Sequence, residues 1–310
     1  MNQTIELAII GAGVAGVSAA VYAHRAGLQF SLLEPHAIGG QLLLMERVDN
    51  YPGLGVGTQA RVLAENLEKT LSILHIEPIQ EAVTSAAIEK NQLRINTDER
   101  CIVAKSAIVA TGASFKKLAV EGEEDFSGRG VSYCAICDGF FFKNKVVAVV
   151  GGGNSAVEEA LYLSNICKKV YLIHRRDNLR AIAYLQKEVS GKSNIEIIFN
   201  TVVRRIQGKD FVETLILEDV KTHAPREFAV NGLFVAIGVT PATEILRGIV
   251  TMDEAGFIIT NEEMNSSVPF IWACGDCRNR PLRQLITAAS EGATAAISAY
   301  KYLKGGYISA

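Results

Sequence analysis

Residues 7–34 read LAIIGAGVAGVSAAVYAHRAGLQFSLLE. A short apolar run gives way to a glycine turn, then to small and apolar residues at helical spacing. A second apolar run follows and stops at Glu34. The pattern predicts strand, turn, helix, strand. Gly11, Gly13 and Gly16 fit G-x-G-x-x-G. Gly11 makes the tight turn, Gly13 lets a pyrophosphate approach the backbone, and Gly16 lets the helix pack closely on the strand. An acid about 20 residues further on can bind a ribose hydroxyl, and Glu34 holds that place. The ligand expected here is a dinucleotide without a 2′-phosphate.

The same grammar returns at 145–174. KVVAVV reads as a strand; Gly151, Gly153 and Ala156 lie in GGGNSAVEEALYL, where Asn154 and Ser155 open the helix; KVYLI is the next strand. No acid closes it. HRRDNLRA stands there instead, with His174, Arg175, Arg176 and, a helical turn later, Arg180. A carboxylate would repel a 2′-phosphate, whereas arginines bind it with charge-assisted hydrogen bonds. The plainer alternative is a solvated basic helix start. The second site is expected to take NADPH. Because the hydride must pass to something, FAD is expected at the first.

Residues 268–296, VPFIWACGDCRNRPLRQLITAASEGATAA, read as a strand, a Gly-Asp turn and a long alanine-rich helix. Gly275 and Asp276 fall at the strand end, where Asp276 can accept a hydrogen bond from a ribityl hydroxyl. The helix N-terminus is expected to face the flavin ring. AIVATGAS, with Thr111 and Gly112, and GLFVAIGVTP are strand-to-glycine segments that can carry the chain between domains. The expected fold is α/β with two Rossmann-like dinucleotide-binding domains. The NADPH domain, 117–243, is inserted into a discontinuous FAD domain made of 1–116 and 244–310.

Two Cys-x-x-Cys pairs stand out: Cys134 and Cys137, with Asp138 directly behind them, and Cys274 and Cys277. A four-thiolate zinc site would need the pairs to converge across far more chain than the about 15–20 residues of a zinc ribbon. The second pair also overlaps the Gly-Asp turn. It reads as small buried cysteines at a strand end, and Cys101 and Cys167 read as packing residues. No metal is expected. Six cysteines in 310 residues do not make a secreted disulfide framework, so a reducing cytoplasm is the expected setting. The first pair is the working dithiol. Asp138 can supply the proton a leaving thiolate needs, and the more exposed thiol can attack a partner disulfide. Phe140, Phe141 and Phe142 form either a docking surface or the lead-in to the next strand, and Arg129 either a partner contact or a loop arginine.

Bulk properties narrow the partners. Net charge is −2, with 31 basic and 33 acidic residues, so nothing draws the chain to nucleic acid or anionic lipid. The opening residues lack the basic flank and long apolar core of a signal peptide. No uncharged apolar run is long enough to span a bilayer, and no membrane association is expected.

In this order the pieces resemble the low-molecular-weight bacterial thioredoxin reductases, over essentially the whole chain. GGQL at 39–42, with Gly40 and Gln41, and VDNYPG at 48–53 look like that family's flavin-contacting loop, Asn50 matching its flavin-binding asparagine. CAICDG at 134–139, HRRD at 174–177 and GDCRNRPLRQLITAASEGA at 275–293 match its redox, NADPH and C-terminal FAD motifs. The last of these brings in Arg283 and Gln284. The resemblance implies that Cys137 faces the flavin, that Cys134 attacks thioredoxin and that Asp138 is the acid–base. It also implies a homodimer and a rotation of the inserted domain between half-reactions. Asn154 stands where most members carry Asp, and Val239 where a histidine is frequent. Asn154 also occurs in the related alkyl hydroperoxide reductase flavoprotein. The alternative is therefore a flavoprotein disulfide reductase of the same fold serving a peroxidase, a glutaredoxin-like protein or a small disulfide.

Overall fold

The computed structural model describes residues 3–45, 47–48, 50–55 and 57–305; Asp49, inside the quoted VDNYPG loop, lies outside them. The chain forms two compact units. One comprises the chain up to Ser114 and again from Thr240, the other Phe115–Val239.

In the first unit, strand Gln3–Ile10 runs parallel to Phe30–Leu33 on one side and to Cys101–Val109 on the other. Its unbroken apolar run follows from having both faces covered. Leu7 and Ile9 enter one core, Ala8 and Ile10 another. Helix Val14–Arg25 connects the first two strands and packs on the C-terminal helix Leu285–Lys304. A Cβ on Gly292 would lie 2.1 Å from Ala15 O, so glycine and alanine are what let these helices meet backbone to backbone. Strand Cys101–Val109 is shared. Its first half pairs antiparallel with Gln92–Thr97, its last residues parallel with Ile271–Ala273.

The second unit holds a five-stranded parallel sheet in the order Ile195–Ile198, Lys169–Ile173, Val146–Val150, Gly232–Val235, Val131–Ser132. Helix Asn154–Ser164 follows the central strand directly. A separate antiparallel sheet of Thr201–Gly208, Val212–Asp219 and Pro225–Ala229 extends the unit. The expected α/β class, with a parallel core sheet behind each glycine motif, is what the structure has.

The chain crosses between units in two segments, Ala113–Phe115 and Val239–Pro241, which pair as a two-stranded sheet. Just past the second crossing, Ala242 N–H donates to Gly112 O at 3.0 Å and Thr243 Oγ1 to Gly256 O at 2.7 Å. These bonds tie the chain to the first unit at residues 242 and 243. Among the described residues, no helix is long and apolar enough to cross a membrane.

Candidate functional site

Cys134 and Cys137 are joined by a disulfide, their Cα atoms 5.3 Å apart. Strand Val131–Ser132 delivers Cys134 in extended conformation as the N-cap of the single-turn helix Ala135–Asp138. The Cys137 N–H donates to Cys134 Sγ at 3.2 Å. A backbone donor aimed at this sulfur favours its thiolate once the disulfide opens. Ser132 Oγ donates to Asp138 Oδ2 at 2.6 Å and accepts the Cys134 N–H at 3.1 Å. Asp138 is thereby held behind the pair. Nothing in the sequence marks Ser132 beyond a hydroxyl residue just ahead of the motif. The aromatic triplet divides: Phe140 and Phe141 are exposed, as is Ile136, while Phe142 is buried edge-on against Phe234. Arg129 donates to Asp125 O.

The first glycine turn divides its work as the motif requires. A Cβ on Gly11 would lie 2.5 Å from Ala110 O, and one on Gly16 1.8 Å from Gly11 O. Those two positions serve internal packing. A Cβ on Gly13 would meet nothing nearer than Gly40 Cα at 4.0 Å, so a phosphate can come within reach of the backbone there. Gly39 N–H donates to Ala12 O at 3.0 Å, laying the Gly39–Gly40 turn along this loop, and Gln41 Nε2 donates to Ala113 O. Glu34 is already engaged: Oε2 accepts the Ala12 N–H at 2.7 Å and Oε1 the His36 N–H at 3.1 Å. Each oxygen keeps a second acceptor position for a ribose hydroxyl. Asn50 Nδ2 donates to Gln284 Oε1 at 2.8 Å, and Gln284 caps the C-terminal helix in a capping box with Thr287. Gly112 and Gly275 take positive φ, +72° and +74°, at the turns that end their strands.

Thr111 Oγ1, Asp276 Oδ1 and Arg283 Nε are buried in the same unit without a hydrogen-bond partner. Buried polar atoms are rarely left so. A hydroxyl, a carboxylate and a guanidinium suit the hydroxyls, ring carbonyls and phosphates of a flavin dinucleotide. The residues fit that group.

Around the second glycine turn, a Cβ on Gly151 would lie 2.3 Å from Ala236 O, whereas one on Gly153 would meet nothing within 4 Å. Asn154 Oδ1 accepts the Ile182 N–H at 2.9 Å. An amide or a carboxylate can make that bond, which is a physical reason why Asn serves where Asp is common. Ser155 is exposed on the first helical turn. His174 is buried with its ring against Gly152, where a Cβ would lie 2.2 Å from Nδ1. Burial, then the charge of Arg180, lowers its pKa, so His174 is a neutral packing piece beneath the turn. Arg175, Arg176 and Arg180 are exposed. They lie on the loop between strand Lys169–Ile173 and helix Ala183–Ser190, not a helical turn apart. Leu179 is buried, and Arg180 N–H donates to Gly152 O at 2.6 Å. These two anchors fold the loop back over the glycine turn and bring the arginines to it.

Glu291 has no counterpart in the sequence reading. It lies on the C-terminal helix, where Oε2 accepts the Gly275 N–H at 2.8 Å and Arg280 Nη1 at 3.0 Å, and Oε1 accepts Arg278 Nη1 at 2.5 Å. Arg278 Nε donates to Thr260 Oγ1 at 2.6 Å, and Arg280 Nη1 stands 3.7 Å from Asp276 Oδ1. One carboxylate thus sets the Gly275–Asp276 turn. Glu291→Ala leaves two largely buried arginines without their main counter-charge. Removing one partner of a buried ion pair costs about 3–5 kcal/mol, and thermal unfolding should shift accordingly. An unchanged melting temperature would refute the role.

The second cysteine pair is sealed from solvent. Cys274 and Cys277 are both 0% exposed, and Cys277 Sγ donates to Val109 O at 3.3 Å. Burial pushes the Cys277 thiol up to about 11 and Cys274 well above its ordinary value. Thiolate, the reactive form, is scarce there at neutral pH. Cys167 is buried and likewise raised to about 11. Cys101 is partly exposed and accepts Arg94 Nε at 3.2 Å, so it does more than pack.

A family profile described as pyridine nucleotide-disulphide oxidoreductase matches residues 5–292. The thioredoxin reductase of Treponema pallidum is 41% identical over 98% of each chain. That of Peptoclostridium acidaminophilum is 36% identical over 99% of each. Among solved structures, the thioredoxin reductase from Streptococcus pyogenes superposes with a TM-score of 0.94 at 39% identity, covering 99% of this chain and 100% of that one.

Proposed function

We propose, since this chain belongs to the pyridine nucleotide-disulphide oxidoreductase family, that it uses NADPH to reduce the disulfide of thioredoxin by way of FAD and the Cys134–Cys137 pair. The observation that carries the reading is that disulfide, set at a helix start with Asp138 fixed behind it and exposed Ile136 and Phe140 beside it. Relatives that match this chain end to end carry the name thioredoxin reductase.

In this reading the first unit, 1–116 with 244–310 by the sequence boundaries, holds FAD and 117–243 holds NADPH. Gly11, Gly13 and Gly16 cradle the FAD pyrophosphate, and Glu34 accepts a ribose hydroxyl. Gly40, Gln41, Asn50, Thr111, Gly112, Gly275, Asp276, Arg283 and Gln284 hold the rest. Gly151, Gly153, Asn154 and Ser155 receive the NADPH phosphates over His174, while Arg175, Arg176 and Arg180 grip the 2′-phosphate. FAD held by these residues would supply two-electron chemistry, linking the nicotinamide hydride to the disulfide. Cys137 is the thiol that the resemblance assigns to the flavin, and Asp138 protonates the sulfur that leaves. Cys134, its thiolate favoured by the Cys137 N–H, attacks the thioredoxin disulfide.

The dithiol and the NADPH residues belong to one unit, yet each must reach the flavin in turn, and Cys134 must also meet a protein. A change of orientation about the crossings near 115 and 240 meets all three demands. The reading carries with it a homodimer in a reducing cytoplasm.

The test is NADPH oxidation by the purified flavoprotein with and without thioredoxin. NADPH should bleach the flavin, and oxidised thioredoxin should restore turnover. Bleaching with no turnover on any thioredoxin from the host would overturn the substrate and leave the reaction type standing.

A further inference from the structure

Glu159 has no part in the chemistry above, yet it borders the dithiol. It lies on helix Asn154–Ser164, which packs on the redox turn closely enough that a Cβ on Gly139 would meet Leu163 Cδ2 at 3.0 Å and Tyr162 Cε1 at 3.1 Å. The backbone N–H of Ala135, the residue that follows Cys134, favours the ionised form of Glu159. Its Oε2 is buried and has no hydrogen-bond partner. A buried oxygen left so calls for an explanation. Desolvation raises the pKa of Glu159 to about 7, the Ala135 N–H opposing and the Glu158 carboxylate assisting.

The elements packed on this helix bring other ionisable groups. They are Asp138 on the redox turn, Tyr184, Lys187 and Glu188 on helix Ala183–Ser190, Lys169 and Tyr171 on strand Lys169–Ile173, and Glu196 on strand Ile195–Ile198. Lys169 and Glu196 pair with each other at 2.8 Å. None of these groups contributes to the shift of Glu159; apart from burial, only Ala135 and Glu158 do.

We propose that Glu159 is a positioning residue for the dithiol that takes up a proton from solvent when the disulfide opens. The proposal rests on the reading of Cys134–Cys137 as the redox centre. Reduction breaks one S–S bond and adds two electrons, which NADPH supplies through the flavin. The sulfurs take one proton if one of them stays a thiolate. That new negative charge disfavours a second one nearby and raises the carboxyl pKa further. Glu159 then binds a proton of its own, and Oε2 turns from an unpartnered acceptor into a donor. With the carboxylate neutralised, the attacking thiolate persists at neutral pH.

The test reads the disulfide, not turnover. The flavin-loaded protein is equilibrated in dithiothreitol redox buffers from pH 6 to 8.5, and the state of Cys134 and Cys137 is read by alkylation and mass spectrometry. Below the oxidised-state pKa of Glu159 both redox states are protonated, and above the reduced-state pKa both are ionised. Between the two, reduction takes up one extra proton. The equilibrium constant should therefore change by an extra tenfold per pH unit in that window, about 30 mV, in the wild type and not in Glu159→Gln. A merely structural role would shift the potential or the melting temperature without removing that segment. Identical pH slopes in both proteins overturn the proposal. A second readout needs no variant: the wild-type infrared difference spectrum should gain a protonated-carboxyl band on reduction, and a spectrum without that gain also overturns it. Because no thioredoxin enters either measurement, failure of the substrate assignment remains separately visible.

Discussion

Cys134→Ser and Cys137→Ser each stop thioredoxin reduction, a loss of at least about 10³-fold, because a lone thiol cannot accept an electron pair by opening a disulfide. The protein should still bind its flavin, and NADPH should still bleach it, since those residues lie outside the redox turn. Cys134→Ser should be the more informative variant: in the proposed reading it removes the thiol that attacks the partner and keeps the thiol assigned to the flavin. Cys274→Ser and Cys277→Ser form the contrast. Both positions are fully buried, so a serine there changes stability by about 1–3 kcal/mol at most and leaves turnover nearly intact. Steady-state thioredoxin reduction beside anaerobic flavin bleaching checks both halves. Full activity in Cys134→Ser, or none in Cys277→Ser with flavin still bound, would reverse the roles of the two pairs.

Replacing Arg175, Arg176 and Arg180 together by Ala should remove most of the preference for NADPH over NADH. A hydrogen bond to a charged phosphate contributes about 1.5–3 kcal/mol, and 1.4 kcal/mol is tenfold. These side chains are exposed, so water already solvates them and the three contributions do not add fully. A fall of about 10²–10³-fold in kcat/KM for NADPH is expected, carried by KM, with the NADH value little changed. Equal use of the two nucleotides by the unaltered protein would remove the basis of the claim.

The parts of this molecule most legible in the sequence are those where backbone geometry dictates residue type. Gly11 and Gly16 can be nothing larger, because a Cβ at either would collide with a carbonyl oxygen, and that constraint is visible in a string of letters. The parallel strands announce themselves because both faces are buried. The 175–182 loop is less legible: basic and polar residues after a strand suit a helix start and a loop alike. The buried Leu179 and the Arg180–Gly152 bond that decide the matter are tertiary. Ser132, Glu159 and Glu291 were illegible for a related reason. Each acts through partners brought to it by the fold: Asp138 across the redox turn, Ala135 on a neighbouring helix, Arg278 and Arg280 ahead of the C-terminal helix. No local spacing encodes such meetings.

The shared strand Cys101–Val109 bears on how the molecule is made. Its last residues wait for Ile271–Ala273, and helix Val14–Arg25 waits for Leu285–Lys304. On the ribosome these partners emerge only after the whole of Phe115–Val239. The inserted unit has every strand of its own sheets within its own span. It can close while the earlier part of the outer unit is still short of a sheet neighbour and a covering helix. Synthesis therefore favours an inside-out order, the inserted unit first and the unit that encloses it in sequence last. Until Ile271–Ala273 is released, the apolar edge at Ala107–Val109 stands unpaired, and until Leu285–Lys304 follows, helix Val14–Arg25 stands uncovered; this is the interval in which a nascent-chain chaperone has something to hold.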